Sequence, residues 1–455
     1  MASTSLLTYA AKVASVEQVY YSPVVTLPTT NEVLSSMYCV LAKVDTWIND
    51  VSPPSPTQDQ KAVKNFLKNV FVAKLVTSND ISPVIPRVDW TLNKVYDAYA
   101  DDVDMFALDP YGNQIYTFYV KNRYDQVFKC LSNNNGGPSL YEPYFEPGTY
   151  TTNNIYQNVD GYKWKYIFTV DLSSKVKFMD QYWIPVLVGQ NTPNPIASSA
   201  GTGSLDVINV INGGSGYDPT TSVITLNITG DGSGANGVAV VANGAITDIL
   251  MTSPGSNYTY ANASIISANG SGAILSANTS SPIGGHGYDP VSDLGCMHVM
   301  ISVEFNGSEN QHIPTDITYH QIGLLINPTT NSLSPLSANG SIYNTSTGVI
   351  VAGGFGSFVN DELVFQGASL ASATFIGTVL DFNTSSNELS LINITGTLTV
   401  NAPIFGNGSG TARTVLAYNE PDFVPLSGYL SYMENRSGIT RSPDGIEQFK
   451  IVLGY

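Results

Sequence analysis

Between Lys177 and Arg413 the chain contains no lysine or arginine, and from about Ser198 its composition turns abruptly to Gly, Asn, Ser, Thr, Ala, Val and Ile. Apolar runs in this stretch are only about five to eight residues long and are broken by glycine turns, the pattern of short strands rather than helices. The stretch also repeats itself at intervals of about 40 residues. NGGSGY at 212–217 answers SPGSNY at 253–258, and DGSGA at 231–235 answers NGSGA at 269–273. A third echo, GGHGYDP at 284–290, departs from GGSGYDP at 213–219 only at His286. Further on, VNDELVFQG at 359–367 resembles VNAPIFG at 400–406, and TVLDF at 378–382 parallels TVLAY at 414–418. Two units are too few for a solenoid, so each duplication predicts a compact all-β module.

Around these modules the sequence is mixed in character. A helix is expected over 59–76, where Val63, Phe66, Leu67, Val70 and Ala73 recur at helical spacing and Lys61, Lys64 and Lys68 fall on the opposite side. Thr57 and Gln60 stand at capping-box spacing before it. A further helix is expected over about Leu6–Val19. Strands are expected over Met37–Val44, Ile115–Val120, Gln126–Leu131, Trp164–Val170 and Tyr182–Val188, and later in CMHVMISVEF, HQIGLLIN, GYLSYMENR and IEQFKIVLGY. The fold class read from this is α+β, mostly β: a mixed body interrupted by two inserted all-β modules, each a small sandwich or barrel. The divisions are an α+β body over 1–197, a first insert over 198–283, a return to the body over 284–336, a second insert over 337–417, and closing strands over 418–455.

A formal charge of −17 argues against a binder of nucleic-acid phosphates, which needs clustered cations. No apolar run is long enough to span a membrane, and MASTSLLTYAAKVASVEQVYYSP lacks the basic start and apolar run of an export signal, so synthesis in the cytoplasm is expected. Sequons such as those at Asn227, Asn262, Asn306 and Asn393 then read as turn sequences. Cys39, Cys130 and Cys296 are far apart and odd in number, which reads as free thiols.

Signatures of catalysis are sparse. Gly232, Gly234 and Gly237 make the one G-x-G-x-x-G, but it lies between apparent strands and reads as a turn, not a phosphate loop. Of His286, His298, His312 and His320, His298 with Cys296 makes the closest pair; no second pair completes a metal site, so ordinary packing is expected. Asp101, Asp102 and Asp104 form the densest acidic cluster and read as a solvated loop. The Asp/Asn/Gly turns lack the spacing of an EF-hand. No cofactor and no enzymatic activity are expected. Contact chemistry is better represented: tyrosine, at 27 residues, outnumbers phenylalanine, at 17, which suits low-charge partner surfaces and suits β cores equally. Arg87 and Asp89, two apart beside Trp90, serve either as an interface anchor or as an internally paired corner, and Glu434 with Arg436 repeats the arrangement.

Several of these segments, in order, resemble the baseplate wedge subunit known as gene product eight of T4-like contractile-tailed bacteriophages. They are PPSPTQDQ (53–60), VIPRVDW (84–90), VFKCL (127–131), DGYKWKYIFTV (160–170), QYWIPV (181–186), YHQIGLLINP (319–328), LSGYLSYMENRSGI (426–439) and IEQFKIVL (446–453). The resemblance implies a non-enzymatic, homodimeric structural subunit of the virion tail baseplate. It would be assembled in the host cytoplasm, bind other wedge proteins and take part in baseplate rearrangement on sheath contraction, without nucleic-acid or membrane partners. The two β inserts are outside the matched pattern. Arg87, Asp89, Trp90, Trp164, Tyr432, Glu434 and Arg436 are the expected interface or structural anchors. The alternatives are a receptor- or carbohydrate-binding tail adhesin, or a cell-wall hydrolase drawing on the abundant carboxylates.

Overall fold

The computed structural model describes residues 8–26, 33–147, 149, 155–188, 201–277, 280–309, 313–330 and 336–455; Leu6, His312 and the expected boundary at Ser198 lie outside these. The chain is mostly β and includes a closed six-stranded barrel. It divides into two compact units, one of residues 1–17, 82–300 and 452–455, the other of residues 18–81 and 301–451. The N-terminal 197 residues are therefore shared between the two.

In the first unit, a four-stranded sheet runs in the order Tyr119–Lys121, Gln126–Asn133, Tyr162–Thr169, Ile155–Gln157. One face of its central pair carries Phe128, Cys130, Tyr162, Trp164 and Tyr166 into an aromatic core with Tyr96 and Phe145. Trp183–Pro185 pairs with Ile81–Pro86 through Ile184 opposite Ile85. The glycine-rich region folds as three nested antiparallel pairs: Asn209–Ser215 with Ser271–Ser276, Ile224–Gly230 with Ala261–Ser267, and Ser233–Ala242 with Ala245–Ser256. Each repeat contributes one strand to every pair, so the duplicated halves complete each other. The repeated residues show why. A side chain at Gly270 would strike the buried Tyr217 ring, and one at the equivalent Gly232 would strike the buried Tyr258 ring, both at 2.5 Å. Gly234 and Gly237 lie within the Ser233–Ala242 strand, and no helix follows them, which corrects their reading as a turn.

In the second unit, a five-stranded sheet has the order Ile342–Asn344, Val70–Leu75, Met37–Ala42, Thr318–Ile326, Tyr429–Thr440. The helix is shorter than its periodicity predicts: it spans Gln60–Lys68, ends at Asn69, and the Val-Phe-Val run that follows opens the Val70–Leu75 strand. Its N-cap is Asp59, whose carboxylate accepts from the Ala62 N–H and from the Thr57 hydroxyl, so Thr57 supports the cap instead of forming it. Phe66 is the helix's buried residue, packed with Tyr38, Val40, Ala73 and Leu325. A Cβ at Gly323 would come within 2.7 Å of the Phe66 ring and 2.8 Å of the Tyr432 carbonyl. Gly323→Ala is accordingly expected to cost about 1–3 kcal/mol of stability by chemical denaturation, with little change in secondary structure.

The second duplication builds the barrel, in the order Thr347–Val351, Glu388–Gly396, Phe375–Asn383, Leu363–Gln366, Pro403–Gly406, Ala412–Asn419. The repeated strands pair with each other, Phe365 opposite Phe405. Their equivalents Val364 and Ile404, like Val379 and Val415, point into the filled interior. Arg413, which ends the cation-free run, donates to the Ala352 and Gly356 carbonyls and to Asn387. A long donor is needed there because the loop after Thr347–Val351 offers carbonyls without strand partners.

Candidate functional site: buried charge pairs and anchor segments

Alternation along Tyr162–Thr169 that turns the aromatic side chains into the core turns Lys163 and Lys165 to the other face, where Lys129 lies directly opposite Lys165. Three ammonium groups so placed repel one another unless each meets a carboxylate. Each does. Lys163 pairs with Asp248 at 2.5 Å, Lys165 with Asp206 at 3.0 Å and Lys129 with Asp293 at 2.5 Å. Asp206 and Asp248 come from the glycine-rich region and Asp293 from the short helix Pro290–Asp293. The row is the device that fastens these segments to the sheet.

The Lys129 pair is sealed from solvent. Its ammonium sits 3.6 Å from the Tyr99 ring centroid and donates to His286 Nδ1 at 3.2 Å. Burial works against charge at Asp293, but the Lys129 ammonium and His286 outweigh it and hold the carboxyl well below its ordinary range. Burial, reinforced by Lys129, lowers His286 and keeps it neutral. Burial also lowers Lys129, against the pull of Asp293. The carboxylate and the ammonium satisfy each other inside the protein and the imidazole Nδ1 accepts from the ammonium, while His286 Nε2 is buried without a partner; the cluster acts as an internal clamp. His286, the position at which the third glycine echo departs from the first, is a member of it.

Arg87 and Asp89 do lie on one side of the chain, joined at 2.9 Å, and Asp89 also reaches Lys121 at 3.1 Å. Arg87 donates to the Asp180 carbonyl. Trp90 is only partly buried, packs against the aromatic core and donates to Ser139 Oγ at 3.0 Å. Trp164 is wholly buried, stacked on Tyr162 and edge-on to Tyr96. Tyr432, Glu434 and Arg436 form a ladder on Tyr429–Thr440: the Tyr432 hydroxyl donates to Glu434 at 2.8 Å, and Arg436 pairs with the same carboxylate at 3.1 Å. The seven anchors therefore fall into two groups, Arg87, Asp89 and Trp90 beside the aromatic core that holds Trp164, and Tyr432, Glu434 and Arg436 on the Tyr429–Thr440 strand.

Cys296 donates its thiol to the Val84 carbonyl at 3.1 Å, and burial pushes the thiol up to about 12. His298 packs on Trp183 and is lowered by burial. Among the described residues no group of three His, Cys, Asp or Glu is placed to hold a metal ion. Asp101 and Asp104 accept from Ser280 and Tyr9, so the acidic loop is tied to its surroundings by side-chain bonds. Among the described residues no helix is long and apolar enough to cross a membrane.

Beside the Tyr429–Thr440 edge strand runs the 45–56 loop. Trp47 Nε1 donates to the Arg436 carbonyl at 2.8 Å, the Gly438 N–H donates to Asp50, and Asn435 donates to the Pro54 carbonyl. Ile48 and Val51, between these fixed points, are fully exposed. No protein-family model matches the chain, and a comparison with curated proteins finds no match.

Proposed function

We propose that the protein is a structural subunit of a contractile-tail baseplate wedge, a homodimer held between neighbouring wedge proteins in the virion and without catalytic function. In this reading the regions 201–277 and 347–419 are all-β modules inserted into the wedge body and turned towards further neighbours. The observation that carries it is the 45–56 loop. A loop fixed by three hydrogen bonds to an edge strand, yet presenting two bare aliphatic side chains, is pre-organised for burial against another protein. The low density of charge and the internal pairing of most cations suit a surface that stays bound.

The double variant Ile48→Asp, Val51→Asp tests the dimer. Both side chains are solvent-facing in the single chain, so the variant should keep the far-ultraviolet circular dichroism of the parent, while light scattering in line with gel filtration shifts from dimer to monomer mass. A parent chain that is already monomeric at micromolar concentration, or a variant that remains dimeric, contradicts the assignment of this loop.

A further inference from the structure

In a chain with 36 acidic and 19 basic residues, almost every described lysine meets a carboxylate, an aromatic ring or another polar partner. Lys61, Lys64 and Lys68 do not: they make no side-chain hydrogen bond or ion pair among the described residues. Their spacing stacks them on one face of Gln60–Lys68, over roughly 10 Å of helix. That face lines a shallow groove to which the barrel contributes Asn393. At Lys68 and Asn393 the groove continues into a deeper cleft of about 380 Å³. The cleft is more apolar than polar, walled by Leu67, Leu391, Ile394, Leu398, Phe423 and Leu426 among others. Two carboxylates line the combined cleft. Asp59 is engaged as the helix cap, and Glu420 lines the deeper cleft, which Lys68 also lines.

Leu426 is held in the left-handed region, φ +64°, with 43% of its surface exposed. A leucine pays steric strain there, and a large apolar group is kept open to solvent at the cleft mouth. An apolar slot with a separate cationic rail is complementary to a ligand that is apolar at one point and negatively charged along its length. A small anion would use one or two of the lysines and none of the slot.

We propose that this cleft binds an extended acidic segment of a partner protein, with one apolar side chain of the segment seated in the slot and its carboxylates along Lys61, Lys64 and Lys68. The proposal rests on the chemistry of the cleft and not on the wedge reading, so either can fail alone.

The test is selection of a random dodecapeptide library on the full-length protein, followed by affinity measurement of the enriched peptides. Enriched peptides should combine Asp or Glu with an aromatic or aliphatic anchor. Their binding should weaken about tenfold or more in the charge reversal Lys61→Glu, Lys64→Glu, Lys68→Glu, and should weaken with added salt. Leu426→Gly relieves the backbone strain and removes one wall, so it should fold at least as stably as the parent and bind the same peptides more weakly. No enrichment, enriched peptides without acidic residues, or binding unchanged in both variants would overturn the proposal. Inorganic phosphate competing as well as the peptide would overturn it in favour of a simple anion site. Lysine-dependent co-sedimentation with vesicles of phosphatidylglycerol, without peptide enrichment, would overturn it in favour of a lipid surface.

Discussion

Asp293→Ala is expected to destabilise the protein by about 3–5 kcal/mol, because it leaves the Lys129 ammonium buried without a counter-charge. The cost comes from the orphaned charge more than from the lost attraction. Lys129→Met combined with Asp293→Leu, which removes both charges and retains volume, should therefore recover most of the loss in urea denaturation. The pair also gives a signature in acid. The Asp293 carboxyl is held below its unfolded value, ordinarily near 3.9. Its stabilisation is thus fully present above that value and is lost as pH falls through the folded-state value. The difference in stability between parent and Asp293→Ala should be constant from pH 7 to about pH 5 and narrow below about pH 4. A difference that did not change with pH would assign the effect to packing alone.

Trp164→Ala is expected to be comparably severe, about 3–5 kcal/mol. The indole is wholly buried, with Tyr162 at 5.4 Å in a stacked arrangement and Tyr96 at 5.4 Å edge-on. The cavity would open between two strands whose reverse face carries the lysine row, so relaxation into it would disturb Lys163 and Lys165 as well. Trp90→Ala should cost distinctly less, about 1–2 kcal/mol, since its ring is partly exposed and its main loss is the bond to Ser139. Thermal unfolding monitored by near-ultraviolet circular dichroism ranks the two. Equal losses would mean that the aromatic core extends to Trp90 more tightly than its exposure indicates.

What the sequence made legible, and what it did not, follows from the range of the interactions involved. Strands such as Gln126–Asn133 and Thr318–Ile326 were readable because their apolar runs are local. The duplications were readable because repeated glycines keep the same duty, as Gly232 and Gly270 do beneath Tyr258 and Tyr217. The end of the helix at Lys68 was not, since Val70 and Ala73 fit a helical stripe as well as they fit the strand that pairs with Met37–Ala42. The charge row was hidden for a different reason. Lys163, Lys165 and Lys129 find their carboxylates 85, 41 and 164 residues away, and no local pattern announces such partners. One signal was present. The third glycine echo departs from the first only at His286, the residue that its fold brings to Lys129. Arg87 with Asp89, and Glu434 with Arg436, were legible as pairs because residues two apart on extended chain share a side.

The proposed baseplate membership is tested most directly by quantitative mass spectrometry of contractile-tail particles purified from cells that produce this chain. The protein is expected in the baseplate fraction at a fixed, even copy number per particle, retained after sheath contraction. Its absence from purified tails, with the chain recovered only as a free species in the lysate, would contradict the account.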